Sequence, residues 1–292
     1  MGAAQAKTKR VVLYGDGRRA DVMHAIAQVV PLLKEKAELL HVCTDQALDL
    51  SRIRFDLLIN FGGDGSILGA VRSMGANQAA VAGVNFGKVG FLATYELPGL
   101  LASLDDILAG RVSRQESVIQ EATLIRSGGK RSVFLAVNDT VISRAAKSRV
   151  VSMRLSIDGS YVSTYQVDGI IVSTPVGSTA HSLGAGGPVL EPEMDAMVIA
   201  PICPHTLAVR PMAVPANRQI EIEVIEAETE IGVTFDGQVF EPLKTGDKVV
   251  VTRFPHRFIL LGGGTETFYH NLRRKLLWGG HIEHSAQQAW RP

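Results

Sequence analysis

The sequence predicts an α/β N-terminal part with a parallel sheet and a C-terminal part made of antiparallel β-strands. Up to about residue 112, short apolar runs alternate with segments of helical spacing, which is typical of a parallel sheet covered by helices. From Glu121 onward, β-rich runs instead lie between turn signals. Helical spacing returns at 265–278, and we expect this last helix to pack back on the N-terminal part.

The elements of the N-terminal part follow from its apolar runs and their period. Four runs are typical of buried strands, at 10–15, 38–43, 55–61 and 79–85. Three segments have the period of helices, at 21–36, 66–75 and 98–110. Pro31 should start, bend or end a turn of the first helix, whereas Pro98 and Gly110 stand where the third helix begins and ends.

The C-terminal part is predicted from four β-rich runs, at 121–142, 150–173, 218–243 and 247–262. Gly128-Gly129, Asp158-Gly159 and Asp236-Gly237 are hairpin-type turns within these runs. We divide the chain into an α/β part of residues 1–112, completed by the helix at 266–292, and a β-rich part of residues 113–265. No low-complexity linker separates the two parts, so we expect them to share an interface, and ligands favour such clefts.

Composition restricts the class of protein. The 292 residues include 30 Lys and Arg against 29 Asp and Glu, a balance that gives no electrostatic basis for binding nucleic acid or an acidic membrane. No apolar run is long enough to span a bilayer, and the N-terminal residues lack an apolar signal segment. The two cysteines, Cys43 and Cys203, form no disulfide framework. We therefore expect a soluble cytoplasmic protein.

The stretch NFGGDGSILGA at 60–70 places one acid, Asp64, in a glycine turn between a strand and a helix. Its glycine spacing fits neither the dinucleotide fingerprint nor the Walker P-loop, but free N–H groups at a helix N-terminus attract anions. Asp64 could simply cap the helix. It could also accept a proton from an attacking hydroxyl, or help to hold Mg²⁺, and both tasks belong to phosphoryl transfer.

A second stretch, 167–192, follows a strand with the residues Ser-Thr-Pro-Val-Gly-Ser-Thr-Ala and a later glycine pair. Its hydroxyl groups and the backbone at Gly177 could donate hydrogen bonds to a nucleotide. Taken alone, this stretch is typical of an ordinary Ser/Thr/Gly turn. The short basic run Arg273-Arg274-Lys275 is likewise predicted to be a solvated helix face.

Together these stretches resemble the NAD kinase family. GGDG at 62–65 is followed by VNFGKVGFL at 84–92, VNDTVI at 137–142, DGIIVSTPVGSTAHSLGAGGP at 168–188, PHTLAVRPM at 204–212 and DGQ at 236–238. The segments keep the family's order over most of the chain, from about Leu57 to Val251. GGDG alone also occurs in phosphofructokinases and lipid kinases, whereas the long Asp-Gly to Gly-Gly-Pro segment is specific.

The resemblance implies an α/β domain, a β-sandwich-like domain and phosphorylation of the 2′-hydroxyl of the adenosine ribose of NAD. By similarity, Asp64 is the proton acceptor, and Gly62, Gly63 and Gly65 are phosphate-binding residues. The implied substrate-binding residues are Asp64, Gly65, Asn138, Asp139, Arg149, Gln166, Asp168, Thr179, His181, Ser182 and Gln238. Gln166 and Asp168 would contact the nicotinamide half, and Arg149 would reach NAD from a neighbouring subunit.

The resemblance also implies a phosphoryl donor, a metal and an oligomer, and this sequence departs from the family at three positions. The donor would be ATP or polyphosphate, with Mg²⁺ or another divalent metal, and the active form would be a homodimer or homotetramer. His181 stands where the family usually has Tyr, Asp139 where Glu is commoner, and Gln166 lacks the charge of some members. The alternatives are a diacylglycerol-type lipid kinase, which needs an apolar entry, and a non-catalytic dinucleotide sensor, which would not need Asp64.

Overall fold

The computed structural model describes residues 8–45, 48–87, 90–144, 150–206, 208–227 and 230–276. Arg149 and residues 277–292 therefore lie outside the described part. The described residues form five helices: α1 Ala20–Lys36, α2 Asp64–Met74, α3 Leu97–Ala109, α4 His181–Gly184 and α5 Thr265–Leu276. Short 3-10 turns cover Leu50–Arg52 and Val176–Thr179.

The strands of the described residues form three sheets. The first nine are β1 Arg10–Gly15, β2 Glu38–Cys43, β3 Leu57–Phe61, β4 Ala80–Val84, β5 Arg114–Ser117, β6 Gln120–Ile125, β7 Arg131–Ala136, β8 Asp139–Arg144 and β9 Val151–Ile157. The remaining nine are β10 Ser160–Val167, β11 Gly169–Ser173, β12 Ala196–Ile202, β13 Met212–Pro215, β14 Ile220–Glu226, β15 Ile231–Phe235, β16 Val239–Leu243, β17 Lys248–Arg253 and β18 Phe258–Leu261.

The first sheet has the order β2-β1-β3-β4-β18-β5. All of its strands run parallel except β5, which is antiparallel to β18. The carboxyl ends of β3, β4 and β18 consequently meet at one edge, where ligands bind in open α/β sheets.

Helices cover both faces of this sheet. Apolar residues of α1 and α3, such as Val22, Val29 and Leu104, pack with residues of β1, β3 and β4 on one face. On the other face, α2 buries Ile67, Leu68, Val71 and Met74. These side chains share a core with residues of the β-rich part, including Val137 and Val176. The helix that begins with Asp64 is therefore packed between the two parts of the chain.

The other two sheets are antiparallel and pack face to face. One has the order β10-β9-β14-β17-β6-β7 and the other β13-β12-β11-β8-β15-β16. Apolar residues of both sheets form a single core, in which the rings of Phe134 and Phe235 stack at 4.4 Å. Antiparallel hairpins join β6 to β7, β9 to β10 and β15 to β16, at the three turns that the sequence predicts.

The structure differs from the sequence-based division in two strands. β5 and β18 come from within 113–265, yet both belong to the first sheet, because β18 pairs with β4 and β5 pairs with β18. Their short runs do not specify the strands with which they pair. Pro31 neither starts nor ends α1, which continues past it to Lys36. Within the described residues, no helix is both long and apolar enough to cross a bilayer.

Candidate active site

Three connections meet at the carboxyl edge of the first sheet. The glycine turn follows β3, the segment 85–96 follows β4, and the segment 262–264 leads from β18 into α5. The first two are joined by backbone, because the N–H of Gly62 donates to the carbonyl of Val84 at 2.9 Å. Because the N–H of Gly62 already donates to Val84, only the residues after Gly62 can offer free N–H groups to a bound anion.

The carboxylate of Asp64 is held by the backbone of the second connection. Oδ2 accepts a hydrogen bond from the N–H of Phe91 at 2.7 Å. Oδ1 accepts from the N–H groups of Leu92 at 3.0 Å and Ala93 at 3.2 Å. Asp64 is the first residue of α2, and Gly63 occupies the cap position without a side-chain cap. The side chain therefore clamps the 90–93 backbone instead of capping its own helix.

This clamp depends on a glycine at position 90. A Cβ atom on Gly90 would lie 1.8 Å from Oδ1 and 2.5 Å from Cγ of Asp64, far inside any real contact distance. The glycine of the Gly-Phe-Leu segment is thus required by the close approach of the Asp64 carboxyl group.

The glycine turn is positioned to receive an anion. The first N–H groups of a helix have no partner within the helix, and the helix dipole adds partial positive charge there. In α2 these groups begin at Asp64 and Gly65. Its amino end can therefore bind phosphate oxygens beside the Asp64 side chain.

A polar link connects α2 to the β-rich part. Nε2 of Gln238 donates to the carbonyl of Gly65 at 2.8 Å. The guanidinium group of Arg72, on α2, donates to Oε1 of Gln238 and to the carboxylate of Asp236. Asp236 in turn accepts the N–H groups of Val137 at 2.9 Å and Asn138 at 2.7 Å. Arg72 and Asp236 are structural members of the site that the sequence analysis missed.

Asn138 and Asp139 follow directly from this link. The carbonyl of Asn138 accepts the N–H of Thr174 at 2.8 Å. A Cβ atom on Gly177 would lie 2.1 Å from that same carbonyl oxygen, so this glycine allows close approach of the two segments. Asp139 is only 4% exposed. Burial, together with the nearby charge of Asp236, raises the pKa of its carboxyl group to about 7.

The Ser-Thr segment is largely fixed by its own hydrogen bonds. Ser178 Oγ donates to the carbonyl of Pro175 at 2.6 Å and accepts the N–H of Leu190 at 3.0 Å. Thr179 Oγ1 donates to the carbonyl of Val176 at 3.2 Å, and His181 is exposed. Ser182 is buried, and its Oγ has no hydrogen-bond partner within the described part of the chain. That hydroxyl is therefore a buried donor that no described group uses.

A small cleft lies between these elements. Its walls include Phe91 and Leu92 from the clamped segment, Val176 and Thr179 from the Ser-Thr segment, and Phe268 from α5. The residues that bind the Asp64 carboxylate therefore face the Ser-Thr segment across one cavity.

Gln166 and Asp168 lie at the other end of β11. Asp168 precedes β11 and pairs with Arg144 at 2.8 Å, whereas Thr174, beside Asn138, follows it. At about 3.3 Å per residue, the two ends are roughly 20 Å apart. The carbonyl of Gln166 accepts the N–H of His205 at 3.0 Å at this far end. Hydrogen bonds from Arg144 lower the pKa of Asp168. The structure thus separates these two residues from Asn138 and Thr174 by the length of β11.

The helix α5 covers the Asp64 side of the cleft. The rings of Phe268 and Phe91 lie 6.5 Å apart. Nζ of Lys275 lies 4.5 Å from the centroid of the Phe91 ring and 4.0 Å from Oδ2 of Asp64. The sequence predicts a helix here and a solvated basic face, but Lys275 points to the carboxylate instead.

The fold and the site together define a phosphotransferase with an α/β part, a β-sandwich part and one clamped aspartate at their junction. A family model described as "ATP-NAD kinase N-terminal domain" matches residues 24–112, and one described as "ATP-NAD kinase C-terminal domain" matches residues 137–261. The chain belongs to the NAD kinase family.

Curated relatives and solved structures agree with this assignment. The chain is 37% identical over 273 residues to an NAD kinase of Rhodopirellula baltica, covering 94% of this chain and 88% of the relative. It is 41% identical over 221 residues to an NAD kinase of Symbiobacterium thermophilum, covering 76% of this chain and 78% of the relative.

The fold is shared with two solved structures of low sequence identity. One is a yeast NADH kinase complexed with NADH, with a TM-score of 0.82 and 21% identity, covering 93% of this chain and 88% of that one. The other is an NAD kinase from Archaeoglobus fulgidus in complex with ATP, with a TM-score of 0.70 and 22% identity, covering 89% of this chain and 96% of that one.

Proposed function

We propose that this chain phosphorylates the 2′-hydroxyl of the adenosine ribose of NAD to give NADP, with Asp64 as the proton acceptor. The observation that carries the proposal is the clamped carboxylate, held by three backbone N–H groups beside a cleft that the Ser-Thr segment also lines. A rigidly held carboxylate at the amino end of α2 suits a reaction whose catalysis is mainly positioning and electrostatic stabilisation.

The two carboxylate oxygens have different surroundings. Oδ1 accepts two backbone hydrogen bonds, whereas Oδ2 accepts one and faces Lys275. We assign the ribose hydroxyl to Oδ2 because that oxygen keeps more free lone-pair capacity. The ribose oxygen forms its bond to the terminal phosphorus of the donor, the bond from that phosphorus to the bridging oxygen breaks, and the hydroxyl proton passes to Oδ2.

The donor in this proposal is ATP, with polyphosphate as the other candidate. Free N–H groups at the start of α2 would bind its phosphate oxygens, which replaces the expectation that Gly62 donates directly. Gly63 and Gly65 keep their proposed phosphate-binding role.

A divalent metal would accompany the donor. Within the described residues, no three or more His, Cys, Asp or Glu side chains form a group that could hold a metal ion. Mg²⁺ usually needs only one or two carboxylates in addition to phosphate oxygens and water. A single protein carboxylate would therefore suffice, and we leave the metal ligands unassigned. Bound Mg²⁺ would neutralise charge on the donor phosphates.

NAD would lie across the cleft between the two parts. Asn138, Asp139 and Gln238 are connected to α2 through the Asp236 and Arg72 link, and Thr179 and Ser182 belong to the facing segment. The free hydroxyl of Ser182 is the side-chain donor that we assign to the ribose region, with exposed His181 stacking on adenine. These polar groups suit a dinucleotide better than the acyl chain that a lipid kinase would bind.

The separation along β11 supports an oligomer. Asp168 and Thr174, which is bonded to Asn138, lie at opposite ends of β11 and are roughly 20 Å apart. We propose that Gln166 and Asp168, with Arg149, complete the nicotinamide end of a neighbouring subunit's site, which requires at least a dimer. We assign the protein to the cytoplasm, since free Cys43 and Cys203 suit a reducing compartment.

The test of the proposal is purified protein with NAD, Mg²⁺ and ATP or polyphosphate, read out as NADP formation. Asp64→Asn should bind NAD within about threefold of wild type by calorimetry but lose about 100-fold in kcat, because the amide cannot accept the proton. Asp105→Asn, an exposed change on α3, is the control. Wild-type protein that makes no NADP refutes the activity, and an Asp64→Asn variant of normal kcat refutes the proton-acceptor role.

A further inference from the structure

Lys275 is the basic side chain that α5 brings to the reaction centre. After β18, the chain turns at 262–264 and forms α5, which runs across the carboxyl edge of the first sheet. Arg273, Arg274 and Lys275 all count as exposed residues, but the side chain of Lys275 is 27% exposed. Of these three basic residues, Lys275 is the one whose ammonium group lies beside Asp64.

Two contacts fix the position of the Lys275 ammonium group. It lies 4.5 Å from the centre of the Phe91 ring, within the range of a cation–π interaction. It also lies 4.0 Å from Oδ2 of Asp64, at the outer limit of an ion pair. Phe91 itself donates its N–H to the same oxygen at 2.7 Å. The ring, the carboxylate oxygen and the ammonium group therefore surround one small volume.

This pairing leaves the ammonium group incompletely satisfied. At 4.0 Å the nitrogen is beyond hydrogen-bond distance from Oδ2, and an ammonium group has three donors. Burial lowers the pKa of Lys275, while the charge of Asp64 acts in the opposite direction. A partly buried cation of this kind gains from an additional anionic partner.

We propose that Lys275 is a catalytic residue that binds the phosphoryl group during its transfer to the ribose hydroxyl. This inference rests on the phosphoryl transfer proposed above. As the ribose oxygen bonds to phosphorus and the bond to the leaving phosphate breaks, negative charge is spread over the transferred group. The Lys275 ammonium group donates hydrogen bonds to those oxygens, while Oδ2 of Asp64 takes the hydroxyl proton. The electron pair of the broken bond leaves with the donor's remaining phosphates.

The position of Lys275 relative to Asp64 explains how it could contact the transferred phosphoryl group. A hydroxyl that hydrogen-bonds to Oδ2 lies about 2.7 Å from it, and the phosphorus it attacks is one bond further on. Nζ of Lys275 lies 4.0 Å from the same oxygen on a flexible four-carbon stem, so we infer that it can reach an oxygen of that phosphoryl group.

The experiment compares wild type with Lys275→Met, which keeps the apolar stem, and Lys275→Arg, which keeps the charge. Arg273→Met, an exposed change on the same helix, is the control. We expect Lys275→Met to lower kcat by about 100-fold, as loss of one transition-state donor does, with NAD affinity within about threefold of wild type. Lys275→Arg should recover at least about a tenth of the wild-type kcat, and Arg273→Met should match wild type.

The pH profile provides a second readout. Wild-type kcat should fall at alkaline pH as Lys275 loses its proton, and this fall should be absent in Lys275→Met. A folded Lys275→Met variant whose kcat is within about threefold of wild type overturns the inference. If that variant does not fold, Lys275→Gln is judged by the same criterion. Wild-type protein that does not phosphorylate NAD instead overturns the proposed function, so the two failures are distinguishable.

Discussion

Replacing Gly90 with alanine would place a methyl group 1.8 Å from Oδ1 of Asp64. Ordinary van der Waals contact begins at 3.4 Å, so the two atoms must move apart by about 1.6 Å. The side chain of Asp64 and the 90–93 backbone cannot both keep their places. At least one of the hydrogen bonds from Phe91, Leu92 and Ala93 must break.

We expect this change to remove most activity while leaving the fold intact. A displacement of about 1 Å can reduce a rate about 100-fold, which corresponds to about 2.7 kcal/mol of transition-state stabilisation. The measurements are kcat/KM for NADP formation and amide hydrogen exchange at residues 91–93, which should accelerate as the clamp opens.

Gly99→Ala is the matched control, because a Cβ atom at Gly99 meets open space and the residue lies within α3. It should keep wild-type activity and unfold at an equal or slightly higher temperature, since alanine favours a helix. If Gly90→Ala keeps kcat/KM within about threefold of wild type, the argument that the clamp positions Asp64 is wrong.

Two further predictions concern the stability of the region around Asn138 and Asp139. Asp139, with its pKa raised to about 7, binds a proton in the folded state that the unfolded state has lost, so stability should fall as pH rises through about 7. Between pH 6 and pH 8 the free energy of unfolding should drop by about 1.4 kcal/mol more in wild type than in Asp139→Asn, measured by urea titration; equal slopes would contradict the raised pKa. Gly177→Ala should lower stability by about 1–3 kcal/mol, because its methyl group would lie 2.1 Å from the Asn138 carbonyl oxygen. Gly184→Ala, which meets open space in the same segment, is the control, and equal unfolding midpoints would contradict the steric argument.

Local signals were sufficient for most elements of the fold. The apolar runs of β1, β2, β3 and β4 appear where the sequence predicts strands, and the hairpin turn at Asp158-Gly159 joins β9 to β10. These features depend on the period and turn chemistry of a few consecutive residues.

The sheet membership of β18 depends on pairing between residues far apart in sequence. Ile259 pairs with Ala80, and local patterns do not specify such a partner. A weak signal was present, since Phe258–Leu261 is a continuous apolar run of the kind found in buried parallel strands.

The candidate site was predictable in its residues but only partly in its geometry. Asp64 was identified from its glycine turn, yet its bonds to the 91–93 backbone depend on how two connections meet in space. Arg72 and Lys275 were missed for the same reason, since a charged residue on a helix is usually solvated. Their orientation depends on packing between the two parts of the chain.

β18 is synthesised last among the strands of the parallel sheet, yet it lies between β4 and β5. On the ribosome, β1 to β5 leave the exit tunnel well over a hundred residues before β18 does, since they end at Ser117 and β18 begins at Phe258. Throughout that interval β4 has an open edge, which is a site for mispairing with another chain. A nascent or truncated polypeptide that lacks β18 therefore cannot complete this sheet, and β18 must be synthesised before the enzyme can become active.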